Sequence, residues 1–188
     1  KETYPGLDRE EQDTILTEYT SWEKASGPKS DDELYEWVEQ NLGMRIPRVR
    51  VCENHCAPFD FFADVYFERT LSAVAMANRG GAKTALAALW LYLSNRFHPG
   101  CEGATVASEQ QTGRAYDHLK RYIRLDAVEN GEQTIGEPLL KKTTFKNGSI
   151  YEIIIATMAG VNGPHPQKTH ADEVELMDPR VFQESRNM

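Results

Sequence analysis

The run Asn78-Arg-Gly-Gly-Ala-Lys-Thr84 joins an apolar stretch, Leu71–Ala77, to a second one, Ala85–Leu93. A buried strand, a glycine turn ending in Lys-Thr, and a helix follow one another in the order a phosphate-binding loop requires. Backbone N–H groups of the turn and the positive end of the helix dipole would then face an anion. Lys83 would reach the terminal phosphates of a nucleotide, and the Thr84 hydroxyl would hold a magnesium ion. The usual pattern places glycine directly before the lysine, where Ala82 stands; here the glycines are Gly80 and Gly81, and Arg79 adds a charge inside the loop. The nucleotide-binding residues expected on this reading are Asn78, Arg79, Gly80, Gly81, Ala82, Lys83 and Thr84.

Hydrolysis of a phosphoanhydride needs more than a cradle. It needs an acid to help hold magnesium and a carboxylate to position water. Asp172-Glu173 follows Lys168-Thr-His-Ala171, which reads as a short strand. Asp172 would hold the metal with Thr84, and Glu173 would orient and deprotonate the attacking water. The same acids, with Glu175, would also suit the first turn of a surface helix. Asp126 is a second candidate metal acid, in a stretch of helical pattern. Cys52-Glu-Asn-His-Cys56 gathers two thiols and an imidazole, so zinc is an alternative, with His98 or Cys101 as a further ligand; buried, unliganded cysteines are the plainer expectation. His165 and His170 flank a proline-rich turn and read as structural.

The elements that must position these residues follow from periodicity. Residues 1 to about 45 are acidic and helical in pattern: Leu7, Ile15, Leu16 and Tyr19 suit one helix. Leu34, Trp37, Val38 and Leu42 suit another, opened by Ser30 as cap with Glu33 reaching back. Gly27-Pro28 separates the two. An aromatic helix is expected over Pro58–Phe67, a strand over Leu71–Ala77, a second buried strand over Gly103–Ser108, and a helix carrying Tyr116, Leu119, Tyr122 and Ile123. Thr144-Phe145, Asn147-Gly148 and Ile150–Ala156 read as a hairpin. Alternating strands and helices predict an α/β fold with a mostly parallel central sheet flanked by helices. The domain reading is a helical N-terminal arm, 1–47, followed by a nucleotide-binding domain, 48–188.

With 29 acidic against 21 basic side chains the net charge is −8, which excludes tight binding of nucleic acid by the surface as a whole. A local basic track remains, formed by Arg114, Lys120, Arg121 and Arg124, with Lys141 and Lys142 further on; an ordinary solvated helix face is the competing reading. The longest apolar run, Ala85–Leu93, is too short to span a bilayer. Three cysteines are too few, and odd in number, for a disulfide framework, and they suit a reducing cytosol.

Taken together, Leu34–Pro47, Pro58–Phe67, Asn78–Thr84, Ala104-Thr-Val-Ala-Ser-Glu109, Phe145-Lys-Asn-Gly-Ser149, Gly160-Val-Asn-Gly163 and His170-Ala-Asp-Glu-Val-Glu-Leu-Met177 resemble the ATPase domain of phage large terminase subunits. The likeness covers roughly residues 34 to 188. It implies a P-loop NTPase of the RecA-like type and an ATPase motor that drives double-stranded DNA into a procapsid with ATP and Mg2+. By the resemblance, Arg79 would contact the γ-phosphate and act catalytically beside Glu173, Lys83 would hold the β- and γ-phosphates, and Thr84 and Asp172 the magnesium. The implied partners are double-stranded DNA, the portal, the small terminase subunit and further copies of the chain in a ring, in the cytoplasm of an infected host cell. Asn162 stands where many relatives carry an arginine before the glycine, so a trans-acting arginine finger is unassigned, with Arg180 one candidate. The resemblance also implies a longer protein, with a coupling motif and a nuclease domain beyond Met188. The alternatives are another P-loop ATPase, such as a helicase-like one, or a non-catalytic zinc-binding interaction module.

Overall fold

The computed structural model describes residues 27–78 and 80–188. The first of the two N-terminal helices read from the sequence lies outside the described residues, as does Arg79. The described chain is an α/β unit built on one four-stranded mixed sheet. Its elements are α1 (Asp31–Leu42), α2 (Pro58–Tyr66), α3 (Lys83–Phe97), β1 (Glu102–Ala107), α4 (Glu109–Asn130), β2 (Lys142–Thr144), β3 (Ile150–Ile155), α5 (Met158–Val161), β4 (Lys168–Ala171), a 3-10 turn (Val174–Leu176) and α6 (Pro179–Ser185).

The strands lie in the order β2-β3-β1-β4. β1 is parallel to both neighbours, with Thr105 opposite Ile153 on one side and His170 on the other. β2 is antiparallel to β3 through the Asn147-Gly148 turn. β1 is buried along almost its whole length, as a central strand covered on both faces must be. Alternate residues serve opposite faces. Ala104 and Val106 meet Ile154, Val161 and Val181 on the α5–α6 side. The larger core on the other side holds Leu34, Val38, Phe59, Phe62, Leu89, Tyr92, Leu93, Leu119, Tyr122 and Tyr151. α3 reaches the sheet closely because Gly103 has no side chain: a Cβ there would stand 2.9 Å from Asn95 Oδ1.

The local signals for α1 hold with one shift. Ser30 Oγ accepts from the Glu33 N–H at 3.2 Å, but the Glu33 carboxylate reaches the Lys29 N–H rather than that of Ser30. Gly43, at φ 61°, closes the helix in the left-handed conformation. Leu34, Val38 and Leu42 enter the main core, and Trp37 sits edge-on to Phe97. α1 is further tied to α3 and α4 by a polar network centred on the buried Asp126. Asp126 accepts from the Tyr92 hydroxyl, from Arg96 Nε at 2.9 Å and from Asn130 Nδ2 at 2.7 Å, and Asn130 Nδ2 also reaches Asn41 Oδ1. A carboxylate at 0 % exposure is tolerable because a guanidinium neutralises it.

The expected strand over Leu71–Ala77 does not form. Residues 72–78 are irregular, and the whole run is exposed: Leu71, Val74 and Met76 are 105 %, 77 % and 91 % accessible. Four of the seven residues are Ser or Ala, so the run has little to bury. No strand among the described residues pairs with it. Contacts hold the chain on either side of the run. At one end Glu68 pairs with Lys168 at 2.6 Å; at the other the Ala77 carbonyl accepts from Lys83, the first residue of α3.

Candidate functional site

The loop after Ala77 turns tightly. The Gly81 N–H donates to the Asn78 carbonyl at 3.0 Å. Gly80 takes φ 85°, and a Cβ on Gly81 would lie 2.9 Å from Ala77 Cβ and 3.1 Å from the Asn78 carbonyl oxygen. These two glycines are therefore required where they stand. Ala82 caps α3 in the left-handed conformation, φ 57° and ψ 21°, which costs a non-glycine residue about 1–2 kcal/mol. The absent glycine at this position is thus absent from a place whose backbone asks for one.

α3 begins at Lys83, and its first intrahelical bond runs from the Leu86 N–H to the Ala82 carbonyl. The N–H groups of Lys83, Thr84 and Ala85 precede that bond, so they have no partner within the helix and stay available to an anion. The Lys83 ammonium folds over the loop, 2.7 Å from the Ala77 carbonyl and 3.4 Å from that of Asn78. Among the described residues it closes the turn as a cation held by neutral oxygens, which phosphate oxygens would outcompete.

The acids arrive from β4. Because β4 runs parallel to β1, its C-terminal end delivers Asp172 to the end of the sheet where β1 gives way to α4. Its backbone continues the ladder through one further bond, from the Asp172 N–H to the Val106 carbonyl. Asp172 is 7 % exposed. Its Oδ2 accepts from the Thr84 hydroxyl at 2.9 Å and its Oδ1 from the Glu173 N–H at 3.1 Å. Glu173 stands in the left-handed region, φ 49° and ψ 49°, at the break between strand and 3-10 turn. Strained backbone of this kind persists where surrounding contacts over-determine it, and it collects at functional sites.

The structure thus brings Lys83, Thr84, Asp172 and Glu173 to one end of the sheet, with Asn78, Gly80, Gly81 and Ala82 forming the turn before them. Hydroxyl and carboxylate oxygens are the hard donors that magnesium takes, and Thr84 and Asp172 are the residues that would hold it. Arg79, expected at the γ-phosphate, lies outside the described residues.

Other candidates fall elsewhere. Asp126 is committed to Arg96. Arg180 is committed to Asp178, the cap of α6, at 3.0 Å. Cys52 and Cys56 are exposed on a turn while Cys101 is buried apart from them, and among the described residues no three His, Cys, Asp or Glu side chains gather as a metal site. His170 is held below the usual imidazole range, by burial first and with Asp172 opposing, and its Nδ1 has no partner. A cavity of ≈ 390 Å³ lies at the opposite end of the sheet, lined by Tyr66, Glu68, His98, Cys101 and Lys168. There burial pushes the Cys101 thiol up to about 11. Spacing could not reveal the Glu68–Lys168 contact that borders this cavity, since it joins two charges 100 residues apart.

Among the described residues no helix is long and apolar enough to cross a membrane. No protein-family model matches the chain, and no curated protein matches it either.

Proposed function

We propose that this chain is a P-loop ATPase, and specifically the ATPase domain of a viral DNA-packaging terminase. One observation carries the ATPase reading: Thr84 and Asp172, 88 residues apart, meet in a 2.9 Å hydrogen bond between the first turn of α3 and the end of β4. A phosphate loop and a metal-holding acid must meet in this way if one magnesium ion is to bridge them and a bound nucleotide. On this reading the loop N–H groups and Lys83 hold the phosphates of ATP, Thr84 and Asp172 hold Mg2+, and Glu173 takes the proton of the water that attacks the γ-phosphate in line. Arg79 is assigned to the γ-phosphate. The choice of a terminase among P-loop ATPases rests on the order of sequence motifs alone. Double-stranded DNA, portal, small subunit, ring assembly and host cytoplasm come with that choice.

The test is nucleotide binding and turnover. Lys83→Ala is expected to lose ATP affinity. Glu173→Gln is expected to keep ATP and lose hydrolysis. Equal ATP binding by wild type and Lys83→Ala would overturn the site. Undiminished turnover by Glu173→Gln would place the base elsewhere.

A further inference from the structure

We propose that Cys52 and Cys56 are a modification site: a pair of thiols that a low-molecular-weight disulfide, such as oxidised glutathione, converts reversibly into a disulfide bridge within the loop between α1 and α2. The inference stands without the ATPase reading.

That loop has a fixed base and a free tip. At the base Ile46 and Ala57 are buried, and the Phe59 N–H donates to the Pro47 carbonyl at 3.0 Å. Arg48 pairs with Asp32 at 2.8 Å and lies over the Tyr35 and Phe59 rings. From Val49 to Cys56 every residue is exposed, and none belongs to a helix or strand. Within this tip the His55 N–H donates to the Cys52 carbonyl at 3.2 Å. Such a turn keeps the Cα atoms of Cys52 and His55 within about 7 Å, and Cys56 is the next residue. A disulfide spans Cα atoms roughly 4.4–6.8 Å apart. Closing the bridge therefore asks only for an adjustment of a tip whose side chains are all exposed, with no core to unpack.

The pair is set apart from the third cysteine. All three are free thiols, and only Cys52 and Cys56 are exposed. Cys101 is 2 % exposed, and burial pushes its thiol up to about 11, which keeps it out of thiolate chemistry. Among the described residues no three His, Cys, Asp or Glu side chains gather as a metal site, so the chemistry open to each exposed thiol is with the other. The thiolate of one cysteine attacks a sulfur of oxidised glutathione. The S–S bond breaks, and the glutathione that leaves takes up the proton the cysteine gave up. The thiolate of the second cysteine then attacks the protein sulfur of the mixed disulfide and expels the second glutathione, which takes the second proton. Two protein thiols are oxidised, and one small disulfide is reduced to two thiols. The second step outruns further intermolecular exchange because the partner thiol is tethered in the same turn, at an effective concentration of at least about a millimolar. In a reducing compartment a bridge of this kind is transient and senses oxidant.

The experiment counts reactive thiols with DTNB on the dilute, undenatured full chain, before and after EDTA and then after oxidised glutathione in modest excess. Cys52 and Cys56 should both react at the start, with or without EDTA, and neither should react after glutathione disulfide. Dithiothreitol should restore both. Peptide mapping should join Cys52 to Cys56 and find Cys101 free. Cys52→Ser and Cys56→Ser should each retain a bound glutathione where wild type retains none, with unchanged melting curves. Wild type that keeps both thiols free, or that carries glutathione on both, would overturn the proposal, as would a bridge to Cys101 or between chains. Thiols that react only after EDTA would overturn it in favour of a bound metal.

Discussion

Replacing Asp172 by Asn separates a metal-holding carboxylate from a structural one. Asp172 is 7 % exposed and accepts two hydrogen bonds, from the Thr84 hydroxyl and the Glu173 N–H, yet no cation among the described residues pairs with it. A buried carboxylate held only by neutral donors carries a desolvation cost of several kcal/mol, which two charge-assisted hydrogen bonds of about 1.5–3 kcal/mol each offset. Asn preserves the shape and one carbonyl acceptor while removing the charge. The unliganded variant should therefore lie within about 1 kcal/mol of wild type, which is about 2–4 °C in Tm for a chain of this size. Magnesium-dependent stabilisation should behave differently. Wild type with Mg·ATP at a hundred times Kd should gain about 2.7 kcal/mol, roughly 8 °C. The variant should lose most of that gain, because an amide oxygen is a poor substitute for a carboxylate at a hard cation. Scanning fluorimetry with and without Mg·ATP reads both quantities. An unliganded variant destabilised by more than about 2 kcal/mol that keeps the full Mg·ATP shift would refute the reasoning and leave Asp172 as a strut between β4 and α3.

Two further outcomes follow from the same geometry. Ala82→Gly should relieve the left-handed strain at the cap of α3, and after the entropy cost of glycine it should stabilise the chain by up to about 1 kcal/mol and tighten nucleotide binding; a loss of stability on thermal melting would show that the Ala82 methyl packs usefully. His170 is held below the ordinary imidazole range, chiefly by burial, so the unfolded chain takes up the proton first as pH falls. Stability should drop as pH falls through about 6.5 toward the lower folded value. His170→Gln should flatten that drop between pH 7.5 and 5.5, and an equal drop in the variant would assign it to other groups.

Much of this fold was legible because its signals are local. Ser30 and Gly43 bracket α1, Asn147-Gly148 turns the β2–β3 hairpin, and the dense apolar run at Ala85–Leu93 marks a helix that buries most of its C-terminal half. The strand expected at Leu71–Ala77 shows what such reading lacks. Its hydropathy suits a central strand, but a strand is a pairing, and pairing depends on neighbours that a window of seven residues does not contain. β4 shows the converse. Lys168-Thr-His-Ala171 looks too polar for a central strand, and the sheet takes it at an edge, beside β1. It becomes a strand because Lys168 finds Glu68 and stands 6.0 Å from the Trp90 ring, and because its backbone completes the β1 ladder.

The candidate site divides along the same line. Its glycines could be read from type alone, since only a residue without Cβ fits at Gly81. The approach of Thr84 to Asp172 could not, because it depends on the parallel register of β1 and β4 and on how closely α3 lies against the sheet. Part of that close packing is at Gly103, whose missing side chain leaves room for Asn95 of α3. Gly103→Ala would place a methyl 2.9 Å from Asn95 Oδ1 and 3.2 Å from Leu91 Cδ2, so these two side chains of α3 must give way to admit it. The packing of α3 on the sheet and the register of β4 against β1 are thus what bring Thr84 to Asp172, and the motif that names the loop carries no trace of either.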